Sequence, residues 1–584
     1  MSSNTQFDLP GFTKPLDYMP PQLQEYASRP FPNALCDYFG YSHSFQALYT
    51  HREIVMVQIM NSITEKPEWD RKVFNEEITS KWRREISQSG QDVTELMMDW
   101  IIKELQCKAE ELQKEGLVCA FDIGVVKSDT AVPEQLKQLL KEAAAPLENV
   151  PEEQKDYHPG TDKQVVDLVH QSLFPVVYGR THILRDKKIG LDDCLNSMGQ
   201  GELLPISSIA SDRSLSKNFQ WLPCDVKFLE DDEGCQITSY INNVHPVKHR
   251  PLYEAVEKII SRTIPLWNKS LTLCSDSWHP RIKYDFVEYL DHPDGPEPVA
   301  QEGEDEDSDE FHDRRMQWER NCPIKQPEPD LGDFEYPHVP WKNINLRDQY
   351  RENGLQVIVK MANIELTPEA PEYKGGSWHI EGQLNERICA TALYYYDSEN
   401  ITESVLRFRH RADHEAANEI SYEQQRHEFI HQVFGFPQFE WIDQLETITQ
   451  DLGGVVCKED RLLTFPNIVQ HCVAPFSLAD RSKPGHRKIL ALFLVDPHMR
   501  IISSAHVPPQ QKDWGIEREQ LIGGLLSRNL PVELQEMVRD GLDSPLMSLD
   551  EAKAHRLKLM EERSIQSKEN NETFEMGDFS LCEH

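Results

Sequence analysis

The sequence predicts an α+β protein whose core is an antiparallel β-sandwich or jelly roll, embellished by helices at both ends. Three observations carry this expectation. Between Gln356 and Pro508, short runs rich in β-branched and aromatic residues alternate with Gly and Pro turns, among them "LQVIVKMANIEL", "RICATALYYYD" and "KILALFLVDP". The first two hundred residues carry mainly helical periodicity instead, and the tail after Arg518 returns to it. The chain therefore divides into a helical region over 1–200, a β-rich core over 201–515 and a helical tail over 516–584.

Taken in order, "REIVMVQIMNSI" is an apolar helix. "DVTELMMDWIIKELQCKAEEL" puts Leu96, Met97, Trp100, Ile101 and Leu105 on one stripe, with Asp92 and Glu95 as a capping pair. From about Asn218, "FQWLPCDVKFL" and "CQITSYINNVHP" read as strands around an acidic turn. A helix then opens at Pro251, with Leu252, Ala255, Val256, Ile259 and Ile260 on its apolar face. The run "EGEDEDSDE" from Glu302 repels itself and buries nothing, so a disordered insertion is expected near 296–315. One helical stretch, "SYEQQRHEFIHQVF", interrupts the strands of the core.

Composition narrows the function. A net charge of −37 argues against nucleic acid as the main partner, because phosphate binding needs a concentrated basic face. The opening "MSSNTQFDLPGF" lacks the charged head and apolar core of a signal peptide, and no apolar run reaches membrane-spanning length. Twelve scattered cysteines without a CxxC pair fit reduced thiols. The expectation is a cytoplasmic or nuclear protein acting on a small molecule or a protein, away from membranes.

Histidine and acid spacing supplies the chemistry. Three His-x-Asp/Glu triplets occur, close to the number such a composition yields by chance, so context must choose among them. His51 and Glu53 open a helix, where i and i+2 diverge. His292 and Asp294 lie in the proline turn "DHPDG". His379 and Glu381, in "GGSWHIEGQ", follow a glycine turn in strand-like surroundings, where i and i+2 share a face. Two-thirds of a facial metal site would result, completed by a histidine from a later strand. His471 in "LTFPNIVQHCVAPF" fits that role, although a histidine there is ordinarily a packed core residue. Arg487 opens the next strand, "PGHRKILALFLV", where its guanidinium could meet a carboxylate through two parallel hydrogen bonds.

This order of motifs resembles the Fe(II)- and 2-oxoglutarate-dependent dioxygenases, built on a double-stranded β-helix, a form of jelly roll. The resemblance implies Fe(II) held by His379, Glu381 and His471, with Arg487 binding the distal carboxylate of the co-substrate 2-oxoglutarate. Two departures stand out: the acid is Glu rather than the commoner Asp, and the stretch from His471 to Arg487 is long, so "LADRSKPGH" must loop out. Arg481 would fit a shorter gap but lies in the polar turn. Segments from "ALCDYFGYSH" to "PGHRKILALFLVDP" are also similar to a large family of uncharacterised fungal proteins known only by a domain of unknown function. On these grounds Trp378 and the tyrosines of "LYYYD" become candidates to line a pocket or to pack between sheets, and Tyr240 and Asn242 candidate substrate-side residues.

Two rival readings remain. His427-Glu428-Phe429-Ile430-His431 matches the H-E-x-x-H pattern of zinc metalloproteases, which on a helix brings both imidazoles to one face. A jelly roll without turnover, serving as a binding scaffold, is the other.

Overall fold

The structure is a computed structural model that describes residues 8–20, 30–35, 45–206, 214–230, 234–275, 280–293, 295–300, 308–336, 343–424, 426–437, 446–515, 531, 545–577 and 579. It is a mixed α+β arrangement of antiparallel sheets with helices packed on them.

Helix α1 (His51–Ile63) begins with a capping box: Thr50 receives the Glu53 backbone N–H, and the Glu53 side chain receives that of Thr50. Helix α2 (Glu95–Glu115) is capped by Thr94 rather than by the expected Asp92–Glu95 pair. Asp92 is drawn away into a 2.9 Å ion pair with Arg52. The region before residue 200 is not only helical. It also supplies strands β1 (Val118–Phe121), β2 (Val125–Ser128) and β3 (Val165–Val169), with α3 (Glu134–Glu148) between the second and third.

After β4 (Cys224–Phe228) and β5 (Cys235–Ile237) comes the long helix α4 (Arg250–Cys274), with Pro251 in its first turn as expected. The acidic run near 296–315 lies partly outside the described residues, and Asp309–Arg320 within and beyond it is helical, capped by Ser308.

The β-rich region then follows: β6 (Leu355–Leu366), β7 (Ile388–Glu399), β8 (Val405–Ala412), β9 (Thr449–Val456), β10 (Leu462–Pro466), β11 (Gln470–Val473) and β12 (Gly485–Val495). A nine-stranded sheet runs β5-β4-β6-β12-β7-β10-β2-β1, with β3 also paired to β6. A four-stranded sheet joins Phe45–Gln46, β8 and β9, with β11 paired to β8. Strand β12 is buried on both faces from Leu490 to Val495, which explains its unbroken apolar run.

Register sorts the two faces of the large sheet. Lys488 and Asn363 pair on one face and both reach Glu148 of α3. The opposite face carries Ile358, Lys360, Ala362 and Ile364 of β6 beside Phe493, Ala491, Ile489 and Arg487 of β12. This inner face looks toward β8 and β11, since Phe465 of β10 packs on Phe408 and His471.

The C-terminal helix α5 (Leu549–Glu575) is clasped to both sheets' loops. Arg556 pairs with Asp156 at 2.6 Å and Arg563 with Glu386 at 2.6 Å, and Glu575 bonds Arg409. No helix among the described residues is long and apolar enough to cross a membrane.

Candidate metal centre

The turn that opens the site demands glycine. Gly375 has φ +90°, and a Cβ there would lie 2.7 Å from the Val473 carbonyl oxygen. The close approach lets the following residues pair with β11. His379 and His471 exchange both backbone hydrogen bonds, at 3.2 and 3.1 Å, as an isolated antiparallel bridge. Residues so paired face the same way, and their rings lie 4.3 Å apart between centroids. Glu381, two residues on, returns to the same side.

The Glu381 backbone is fixed by a residue the sequence did not mark. Asn467, nearly fully buried, receives the Glu381 N–H at 3.1 Å and donates to its carbonyl at 3.0 Å. The resulting carboxylate stands 3.3 Å from Nε2 of His471 and 3.7 Å from Nε2 of His379. His379 Nδ1 lies 2.8 Å from the Ser377 carbonyl, which must accept its proton and so leaves the Nε2 lone pair facing Glu381. The site is closed behind His471, whose side chain is 5% exposed, and open at His379, at 38%.

Burial disfavours charge on all three groups, but the electrostatics are mutual. Burial would raise the Glu381 carboxyl, yet the two histidines outweigh it and hold it well below the usual carboxylate range. Burial likewise opposes protonation of His379, and Glu381 overcomes it, so this imidazole is raised. His471 is lowered, first by burial and then by the charge of His379.

The three ligand atoms lie within 4.8 Å of one another. Cis ligands at about 2.1 Å from a metal stand roughly 3 Å apart, so small adjustments would complete a facial site. A second cluster, His158, Asp167 and His170, meets the same distance test. Its hydrogen bonds point the other way. Ser172 N–H donates to His170 Nδ1 at 3.1 Å, leaving the ring proton on Nε2, toward Asp167. His158 turns its Nδ1 to the same carboxylate at 2.9 Å.

The remaining expectations fare differently. Arg487 is not brought to the cluster. It is buried near the rings of Tyr395 and Phe476 and bonds Ser404 Oγ at 2.5 Å. The Phe465 ring, 4.7 Å from that of His471, belongs to the row Phe465–Thr391–Phe493 across the sheet. Arg487 lies roughly 20 Å along β12 from that row. The cause is the turn after β11: part of the segment expected to loop out extends β12, which starts at Gly485.

Trp378 faces outward under Arg409 and Arg407, 4.7 and 5.5 Å from its ring. Tyr394, Tyr395 and Tyr396 are buried in packing. Tyr240 and Asn242 bond the carbonyls of Val507 and of Leu173 and Phe174.

His427 precedes a five-residue helix, Glu428–Gln432, and packs on Tyr422, while His431 bonds the Phe436 carbonyl. Among the described residues neither belongs to a group placed to hold a metal.

The tail helix, expected only as an embellishment, reaches the site. Asn571 of α5 donates to the Trp378 carbonyl at 2.9 Å and accepts from Gln470 at 2.7 Å, so it touches the neighbours of both histidines. Spacing within the tail carried no sign of this contact.

Comparison with solved structures gives remote similarities. A bsmA homologue from Methylobium petroleophilum PM1 is 12% identical over 26% of this chain and 46% of that one, with a TM-score of 0.15. IDO from Bacillus thuringiensis is 11% identical over 30% of this chain and 67% of that one, with a TM-score of 0.13. The chain thus spans less than half of the first, and at these scores neither similarity supports an argument. No curated protein matches. Family models match instead: "Protein of unknown function (DUF4246)" over residues 95–518, and its N-terminal domain of unknown function over residues 9–85. The chain belongs to the DUF4246 family.

Proposed function

We propose that the protein is an Fe(II)- and 2-oxoglutarate-dependent dioxygenase, hydroxylating or demethylating a small molecule or a protein side chain. One observation carries the reading: a cross-strand pair of histidines with a carboxylate between them, each ring presenting Nε2 to a site open on one side. The strand order supports a double-stranded β-helix. Strands β6-β12-β7-β10 lie side by side in one sheet, and β8 pairs with both β9 and β11 opposite, with His379 bridging to β11.

The residues fit the metal. His379, Glu381 and His471 would hold Fe(II), two neutral nitrogens and one anionic oxygen being the donor set of non-haem iron oxygenases. Fe(II), when bound, supplies the redox chemistry that couples oxidative decarboxylation of 2-oxoglutarate by O₂ to oxidation of a substrate C–H bond. The chain's own part is positional. Asn467 fixes the Glu381 backbone, the Ser377 carbonyl selects the His379 tautomer, and Phe408 and Phe465 seal the side behind His471. Asn571 ties the C-terminal helix to the segments carrying both histidines.

The test is anaerobic addition of Fe(II) and then 2-oxoglutarate to metal-free protein. A visible charge-transfer band that needs both additions and disappears in Glu381→Ala is expected. Its absence from the wild type would remove the oxygenase reading.

A further inference from the structure

A cavity of about 500 Å³ lies where the loop at Leu173 and Phe174 meets the start of the C-terminal helix. That volume falls in the range of small-molecule sites, about 300–1,000 Å³. Its walls are apolar and aromatic: Leu173, Phe174, the Trp514 indole and Leu549, which is left 50% exposed. Leu549 opens α5, and Asn571, beside the metal centre, stands roughly 33 Å further along that helix. The cavity is therefore separate from the metal centre.

One wall is held in a fixed shape. Phe174 and Asn243 both have left-handed backbone, with φ of +50° and +68°, a conformation costly for an aromatic residue. Side-chain amides hold it there. Asn242 donates to the carbonyls of Leu173 and Phe174, Asn243 to those of His170 and Leu173, and Gln510 to those of Phe174 and Pro175. Because Asn243 Nδ2 faces carbonyls, its Oδ1 is an acceptor, and Gln511 turns Nε2 to it at 3.4 Å. That leaves Gln511 Oε1, in a residue 2% exposed that lines the cavity, buried without a hydrogen-bond partner. An acceptor so placed calls for a donor.

The charged groups of the cavity come as a pair. Lys512 and Asp513 are adjacent, exposed and line the same cavity, and neither is in an ion pair among the described residues. We propose that this cavity binds a free aromatic amino acid whose ring carries a hydrogen-bond donor, tryptophan or tyrosine. The ring lies against Trp514 and Phe174 with its N–H or O–H on Gln511 Oε1, while the ammonium meets Asp513 and the carboxylate meets Lys512. Phenylalanine fits the same walls but leaves Gln511 unsatisfied. The assignment is independent of the oxygenase reading, since no metal ligand takes part.

The experiment is equilibrium dialysis of the full chain, free of metal, against L-tryptophan, L-tyrosine, L-phenylalanine and tryptamine, which lacks the carboxylate. One equivalent of L-tryptophan or L-tyrosine per chain is expected, about 10-fold tighter than L-phenylalanine. Gln511→Leu should erase that preference. Lys512→Met, at an exposed position that folding does not depend on, should weaken L-tryptophan by about 3-fold and leave tryptamine unchanged. Glu381→Ala should leave all four as they are. Saturable binding of neither L-tryptophan nor L-tyrosine overturns the assignment, as does L-phenylalanine bound equally well. A preference that survives Gln511→Leu, or a Lys512→Met variant in which L-tryptophan and tryptamine weaken alike, overturns it too. L-tryptophan binding lost in Glu381→Ala would move the ligand to the metal centre and sink the separate site.

Discussion

Two clusters in this molecule each gather two histidines and a carboxylate, and they differ in where the ring protons point. In His379–Glu381–His471, the Ser377 carbonyl holds the Nδ1 proton of His379, so a lone pair faces inward. In His158–Asp167–His170, a backbone N–H occupies His170 Nδ1, His158 turns its Nδ1 to the carboxylate, and Arg556 stands 3.8 Å from the same oxygen. The first has no lysine or arginine paired with its carboxylate among the described residues. The second already carries its own. Distance alone does not separate them. The hydrogen bonds at Nδ1 of His379, His158 and His170 do.

Substitutions can break this contrast. Glu381→Gln removes the anionic ligand and should raise the Fe(II) Kd by about 100-fold or more, read by anaerobic titration. Asp167→Ala leaves Arg556 and two histidine N–H groups facing an emptied buried position. It should cost about 3 kcal/mol in urea unfolding with Fe(II) binding unchanged. Asn467→Ala frees the Glu381 backbone without touching a ligand and should weaken Fe(II) by about 10-fold, with little loss of stability.

The smallest effect is in pH. His170 is depressed, by burial first and then by Lys360, so it stays neutral when folded. The stability it contributes is present above about pH 6.5 and is lost as pH falls below that value. His379 is raised, because Glu381 outweighs burial, so its contribution is full below about pH 6.5 and is lost as pH rises through its folded value. In metal-free protein, urea midpoints across this range should lose part of their acid-side fall in His170→Asn and part of their alkaline-side fall in His379→Asn. The reverse assignment would contradict the proton positions described above.

The grouping of His379, Glu381 and His471 was largely legible because it depends on local rules. Alternation along a strand puts His379 and Glu381 on one face, and an apolar run with one histidine marks a buried strand. Gly375 could be read as a turn, though not that its missing Cβ makes room for the Val473 carbonyl. What was not legible depends on register. Arg487 opens the expected strand, but how far that strand extends past the row at His471 is set by the turn before it, and spacing does not reveal this. Asn467 and Asn571 act through contacts between residues distant in sequence. The H-E-x-x-H residues do not share one helix for a similar reason: the first histidine precedes the helix instead of lying within it.

The most direct measurement is the Fe(II) stoichiometry of metal-free protein under anaerobic conditions, for the wild type, Glu381→Ala and Asp167→Ala. One equivalent bound by the wild type and by Asp167→Ala, and none by Glu381→Ala, is the expected result. Binding that persists in Glu381→Ala but is lost in Asp167→Ala would contradict the assignment of the metal centre.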